Sequence, residues 1–222
     1  MKENLNSLLI DLADDPKKFS IQGKANLLVK CLYKGGCETL IPFFTSSDIY
    51  VRKTLAFVAS ELGSEASILV QHISPLTQDP DEHTRWCAIE SVFLCAHKEI
   101  AGLFIRVLMG LVDENKYIRQ LSMRLAARSD LEQLQETLVV LDRDSKRNVH
   151  KDEHKRGINA LISGRIDEIQ GLLEVDKVLS NRYGAIGAGR VLQSHPEILT
   201  RAISHQNEDV RVFASEKVNS TS

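Results

Sequence analysis

Three stretches of this chain repeat one short pattern, and each runs on into an apolar helical segment. They are Ser46-Ser47-Asp48-Ile49-Tyr50-Val51-Arg52, Asp79-Pro80-Asp81-Glu82-His83-Thr84-Arg85 and Asp113-Glu114-Asn115-Lys116-Tyr117-Ile118-Arg119. The closing arginines stand 33 and 34 residues apart. A fixed period of that length, with one helix start per period, fits stacked helical hairpins, because a single hairpin cannot bury its own apolar side.

Extending the period in both directions predicts six helix pairs from Cys37 onward. The first helices begin near residues 37, 65, 98, 130, 166 and 196, and the second near 48, 81, 115, 149, 178 and 208. Pro42 and Pro75 mark a kink or an end in the first helices of pairs one and two. The analogous later arginines are Arg156, Arg182 and Arg211. In pair five, Gly184, Gly187 and Gly189 lower helix propensity, or else let two helices approach closely. Ahead of the repeats, Leu5, Leu8, Leu9 and Leu12 and then Leu27, Leu28, Cys31 and Leu32 have helical spacing. They predict a two-helix cap over residues 1–35, covering the first open face of the stack. The expected organisation is one all-α domain over 1–222: cap, repeats over 37–218, and a frayed tail at 219–222.

Composition excludes several function classes. With 28 basic and 30 acidic residues the net charge is −2, so no overall field recruits nucleic acid or a membrane surface. No apolar run reaches the roughly 18 residues a membrane span needs. The start lacks the basic and apolar regions of a signal peptide. Cys31, Cys37, Cys87 and Cys95 form no CxxC pair, which favours reduced thiols and a cytoplasmic protein.

The acidic residue before each second helix and the arginine in its first turn resemble the inter-helix turn of HEAT repeats. The matching residues are Asp48 with Arg52, Asp79 and Asp81 with Arg85, Asp113 with Arg119, and Asp209 with Arg211. Physically, an acidic residue there caps free N–H groups, and an Asp–Arg series can pin neighbouring repeats. The resemblance implies a right-handed α-solenoid of about six HEAT-like pairs, usually a protein-binding scaffold.

In such stacks the second helices line the concave wall. Counted from each ladder arginine, positions −1, +3, +6 and +7 are expected to face the core, and −2, +1 and +5 the wall. The wall positions are Tyr50, Lys53 and Phe57 in pair one, His83, Trp86 and Glu90 in pair two, and Tyr117, Gln120 and Arg124 in pair three. Pair four adds His154, and pair five adds Tyr183 and Arg190. Three of the four tyrosines and the one tryptophan fall there, and Tyr, Trp and Arg dominate binding hot spots. The charged stretch from Asp142 to Arg156 is a second candidate surface.

Catalytic patterns fare poorly. His150-Lys151-Asp152-Glu153-His154 has the H-x-x-E-H order of inverted zincins, and His150, Glu153 and His154 are the metal candidates. The proteins so resembled are larger mixed α/β folds with a third ligand, and no third ligand is marked here. The glycines at 184, 187 and 189 lack the strand of a phosphate loop. No Cys–His or Ser–His–Asp set can be assembled, and no cofactor is expected. Trp86, Glu90, Tyr117 and Arg124 imitate the pocket of HEAT-like alkyl-DNA glycosylases, but the wall mixes charge signs and nucleic acid is disfavoured. The expectation is therefore a non-catalytic scaffold that binds another protein: an immunity or inhibitor protein masking a basic toxin or nuclease, or an adaptor in a larger assembly.

Overall fold

The computed structural model describes residues 4–95, 102–143 and 150–220. The described residues form fourteen α-helices and no strand. The chain divides into two compact units, residues 1–96 and 97–222, each described by itself. The first holds α1 (Leu5–Asp14), α2 (Pro16–Ile21), α3 (Lys24–Leu32), α4 (Ile49–Leu62), α5 (Val70–Ile73) and α6 (Glu82–Cys95). The second holds α7 (Ile105–Met109), α8 (Lys116–Ala127), α9 (Leu131–Arg143), α10 (Lys151–Ser163), α11 (Ile166–Glu174), α12 (Val178–Arg190), α13 (Pro196–Ile203) and α14 (Glu208–Asn219). Helix starts expected near 48, 81, 115, 130, 166, 178, 196 and 208 fall within a residue of these bounds, while those expected near 98 and 149 lie outside the described residues.

The first unit departs from expectation at its beginning. Three helices, not two, precede Cys37. Asp15 ends α1, and its side chain accepts from the Lys18 amide at 3.0 Å, so with Pro16 at the first helical position it starts α2 at once. Gly23, at φ 66°, then opens α3 in a conformation that costs a glycine little. The segments paired with α4 and α6 are largely 3-10: Cys37–Thr45 contains Pro42, and Gly63–Leu69 and Ser74–Gln78, the latter with Pro75, flank the single turn of α5. Proline supplies no N–H, which favours short, broken helices here. Helices α4 and α6 pack side by side, burying Val51, Leu55, Val58 and Ala59 on one and Ala88, Ile89 and Val92 on the other.

The second unit is organised around α12. Every residue from Leu179 to Ala188 is buried, because α8, α10, α11, α13 and α14 all pack on this helix. The glycines make that density possible. A Cβ on Gly184 would lie 2.9 Å from the Leu173 backbone nitrogen, and one on Gly187 would lie 2.9 Å from Ile169 Cγ1. Helix α14 packs on α8 as well as on α12. The second helices of this unit thus cluster about α12, which closes faces that a simple row would leave open. The charged stretch of residues 142–156 is only partly visible, since residues 144–149 lie outside those described.

Candidate interaction surface

The face shared by α4 and α6 is built by their N-terminal caps. Asp48 accepts from the Tyr50 amide at 2.7 Å and the Val51 amide at 3.2 Å, which fixes where α4 begins. Asp81 does the same for α6, accepting from the Thr84 amide and hydroxyl, each at 2.9 Å. Two adjacent cations of α4 then grip the turn before α6. Arg52 Nε donates to Asp79 Oδ2 at 2.6 Å, and Lys53 Nζ lies 2.9 Å from Asp81 Oδ2. Burial pushes the Asp81 carboxyl up, but Lys53 and the Thr84 donors outweigh it and hold the group below its ordinary value. Arg85 donates to the carbonyls of Asp79 and Pro80, tying the same turn from the α6 side.

With both starts fixed, the i, i+3, i+7 positions fall on one side of each helix. Tyr50, Lys53 and Phe57 on α4 and Trp86 and Glu90 on α6 are half-buried, and His83 is exposed, while positions −1, +3, +6 and +7 are buried in both helices. In α4 the line continues to Glu61, which is exposed.

The corresponding positions of the second unit do not behave alike. Tyr117 is 62% exposed, with Lys116 Nζ 5.4 Å from its ring centroid. Arg124 is half-exposed and reaches Glu216 on α14 at 3.3 Å. Gln120, expected on the wall, is buried: α14 covers it, and its amide donates to the Asp209 carbonyl at 2.9 Å. Tyr183, also expected there, is fully buried because α12 has neighbours on all sides. His154 is fully buried as well, for a different reason. The buried side of α10 runs through His154, Ile158 and Leu161, one residue off the phase counted from Arg156, and Lys155 makes an exposed pair with Asp142 at 2.5 Å. His154 thereby points inward, its Nδ1 2.7 Å from the Tyr183 oxygen. Arg190 donates to the Ser129 carbonyl at 2.8 Å and to that of Ala126, binding the chain at the end of α8.

Among the ladder residues, Arg52 crosses to Asp79 of the next pair, but Arg119 and Arg182 converge on one carboxylate, Asp209. Burial pushes Asp209 up, yet the two guanidiniums dominate and hold it below the usual carboxylate range. Asp113 accepts from the Asn115 amide at 2.8 Å, and Arg211 donates to the carbonyls of His205 and Gln206. The sharing of Asp209 has no sequence signal, since its two arginines stand 63 residues apart in the chain.

Two chemical possibilities can be weighed geometrically. A Cys–His pair does exist, contrary to expectation: Cys87 Sγ lies 3.9 Å from His83 Nδ1, one helical turn away. Burial, with added negative potential from Glu90, Glu61 and Asp81, pushes this thiol up to about 11, so at neutral pH it stays a protonated thiol and not a nucleophile. In the H-x-x-E-H segment, His150 Nδ1 lies 3.8 Å from Glu153 Oε1, whereas His154 faces the core. Among the described residues no group of three or more His, Cys, Asp or Glu is placed to hold a metal ion.

No known family model matches this chain, and neither does any curated protein. Seventeen solved chains are similar in structure. One is the crystal structure of an engineered protein, 16% identical, with a TM-score of 0.56 over 98% of each chain. At that identity the likeness extends to the helical fold alone. No helix among the described residues is long and apolar enough to cross a membrane.

Proposed function

We propose that this chain is a non-catalytic scaffold that binds another protein through the α4/α6 face, with Tyr50, Phe57 and Trp86 as anchors. The observation that carries this reading is the paired pattern on two neighbouring helices. The same three positions on each stay accessible while the opposite side is buried. Large rings at half-exposed positions can be desolvated by a partner at little entropic cost. The helix pairs are read as HEAT-like repeats of a right-handed α-solenoid. Support comes from the recurring helix starts and from the Arg52–Asp79 bond between one pair and the next. An inhibitor that masks a toxin is favoured over an adaptor, because one compact face suits a single dedicated partner. A cytoplasmic location accompanies this reading, supported by four free cysteines.

The test is affinity capture from the source cell with the intact chain and with a Tyr50→Ala/Trp86→Ala variant. A stoichiometric protein retained by the first and lost by the second supports the reading. A partner retained equally by both removes the α4/α6 face from it.

A further inference from the structure

We propose that α10 is an acid-released helix: mild acidification lifts it off α12 at the His154–Tyr183 contact while α12 keeps its place. His154 is fully buried with its Nδ1 2.7 Å from the Tyr183 oxygen, but its Nε2 has no hydrogen-bond partner. A neutral ring already leaves that nitrogen unsatisfied. An imidazolium carries a proton on both nitrogens, and the second proton finds no acceptor in the seam, so the docked helix excludes the charged form. Nothing facing the ring supplies a counter-charge. From α12 it meets the neutral Tyr183 phenol, while Arg182 turns away to Asp209. The buried residues of α9 and α11, the other helices packed on α10, are all uncharged. On α10 itself His150 adds to the cost of a positive charge. The nearby carboxylates stand at the rim, Asp142 with Lys155, Glu153 beside His150 and Glu168 with Ser163. Burial first, and His150 second, accordingly lower the His154 pKa to about 4. The release is local because the two helices are held differently. Beyond the His154 contact, α10 is tied by exposed bonds from Lys155 and Ser163, and it ends at Gly164, a turn at φ 63°. Helix α12 keeps α8, α11, α13 and α14 around it, with Arg182 on Asp209 and Asn181 on the carbonyls of Leu172 and Val175. Undocking uncovers the Tyr183 ring, which Gly157 otherwise covers at close range.

The test is hydrogen-exchange mass spectrometry on the intact chain at about pH 7 and about pH 5, each rate corrected for intrinsic exchange. The opened helix takes up its proton near pH 6.5 and the docked one near 4, so the opening constant is level above 6.5 and grows about tenfold per unit below it. Amides of residues 155–163 are expected to open roughly twentyfold more often at the lower pH, while those of residues 182–188 on α12 stay better protected. His154→Gln should remove the increase. Tyr183→Phe, which keeps the ring against Gly157, should raise opening at both pH values and keep the increase. The proposal is overturned if α10 and α12 amides exchange in step at the lower pH, which makes the loss global. It also fails if α10 opens equally at both pH values, or if the increase survives His154→Gln. Should that variant not fold, the unaltered chain decides alone, through the comparison of α10 with α12 and the response to acid.

Discussion

Arg52 and Asp79 are 27 residues apart in the chain, yet Arg52 Nε donates to Asp79 Oδ2 at 2.6 Å, joining the start of α4 to the turn that launches α6. The aspartate is almost fully buried and its other oxygen accepts from the Asp81 amide at 2.9 Å, so one side chain fixes both the turn and the spacing of the two helices. Asp79→Ala should cost about 3 kcal/mol, the scale for stripping one partner from a buried pair. The double change Arg52→Met/Asp79→Asn should cost less, because the amide oxygen keeps the turn bond and no buried charge is left unpaired. Urea denaturation of the two variants measures both; equal losses would show that the turn bond adds nothing.

Gly157 on α10 lies against the Tyr183 ring so closely that a Cβ there would sit 2.2 Å from its Cγ. In an open helix, Gly→Ala would gain about 1 kcal/mol from propensity. Here the collision decides the sign, and Gly157→Ala should instead destabilise by about 1–3 kcal/mol, the range for overpacking. Thermal melts of Gly157→Ala with and without Tyr183→Leu check the cause: the shorter side chain should recover part of the loss.

Periodicity made the second helices of pairs one, two, three, five and six legible to within a residue, because cap residues act locally and recur at the same place. Their exposure was less so. Tyr50, Lys53 and Trp86 are half-buried, on two helices that pack side by side. Gln120 and Tyr183 are buried, because α14 covers Gln120 and α10 packs on Tyr183 through Gly157, long-range contacts with no local mark. His154 fails because the buried side of α10 runs through His154, Ile158 and Leu161, one residue off the phase counted from Arg156. The three glycines of α12 read ambiguously as helix weakness; their use is close packing, which only the neighbouring Leu173 and Ile169 reveal.

His154 gives the fold a specific sensitivity to acid. Burial, with a smaller contribution from His150, lowers its pKa to about 4 from 6.5. The buried Tyr183 phenol is held protonated and can donate to Nδ1. The unfolded chain therefore takes up a proton near pH 6.5 that the folded chain refuses until about pH 4. Stability is full above 6.5, falls as pH drops through that window by about 3 kcal/mol at most, and is flat below it as far as this group is concerned. His154→Gln should flatten the profile between pH 6.5 and 4. A profile unchanged by that substitution would assign the acid loss elsewhere.

Asp209 acts lower on the pH scale. Its carboxylate receives Arg119 at 2.8 Å and Arg182 at 2.6 Å and is held below the usual carboxylate range. Stability from this clamp is present above the ordinary aspartate value and is lost as pH falls through the lowered one. Asp209→Asn at neutral pH should cost about 3–5 kcal/mol, because two largely buried guanidiniums lose their counter-charge. Chemical denaturation of the variant checks the size, and removing Arg182 as well (Arg182→Met) should cost less than the sum of the two single changes.

The four tyrosines separate the binding role from the packing role. Tyr183 is fully buried and Tyr50 half-buried, while Tyr117 and Tyr33 are more than half exposed. Tyr183→Ala should cost about 3–5 kcal/mol of folding stability, as for other large core deletions. Tyr117→Ala should change stability by no more than about 0.5 kcal/mol, and Tyr50→Ala by little more. If α4/α6 is the binding face, Tyr50→Ala should weaken partner affinity by about 2 kcal/mol with the fold intact, and Trp86→Ala likewise. Tyr33 donates its hydroxyl to the Glu61 carbonyl at 2.8 Å, so Tyr33→Phe serves as a nearby control that removes one hydrogen bond and no ring. Denaturation midpoints and partner titrations on one set of variants separate the outcomes. Affinity that falls only in step with stability would mean the rings hold the helices together and recognise nothing.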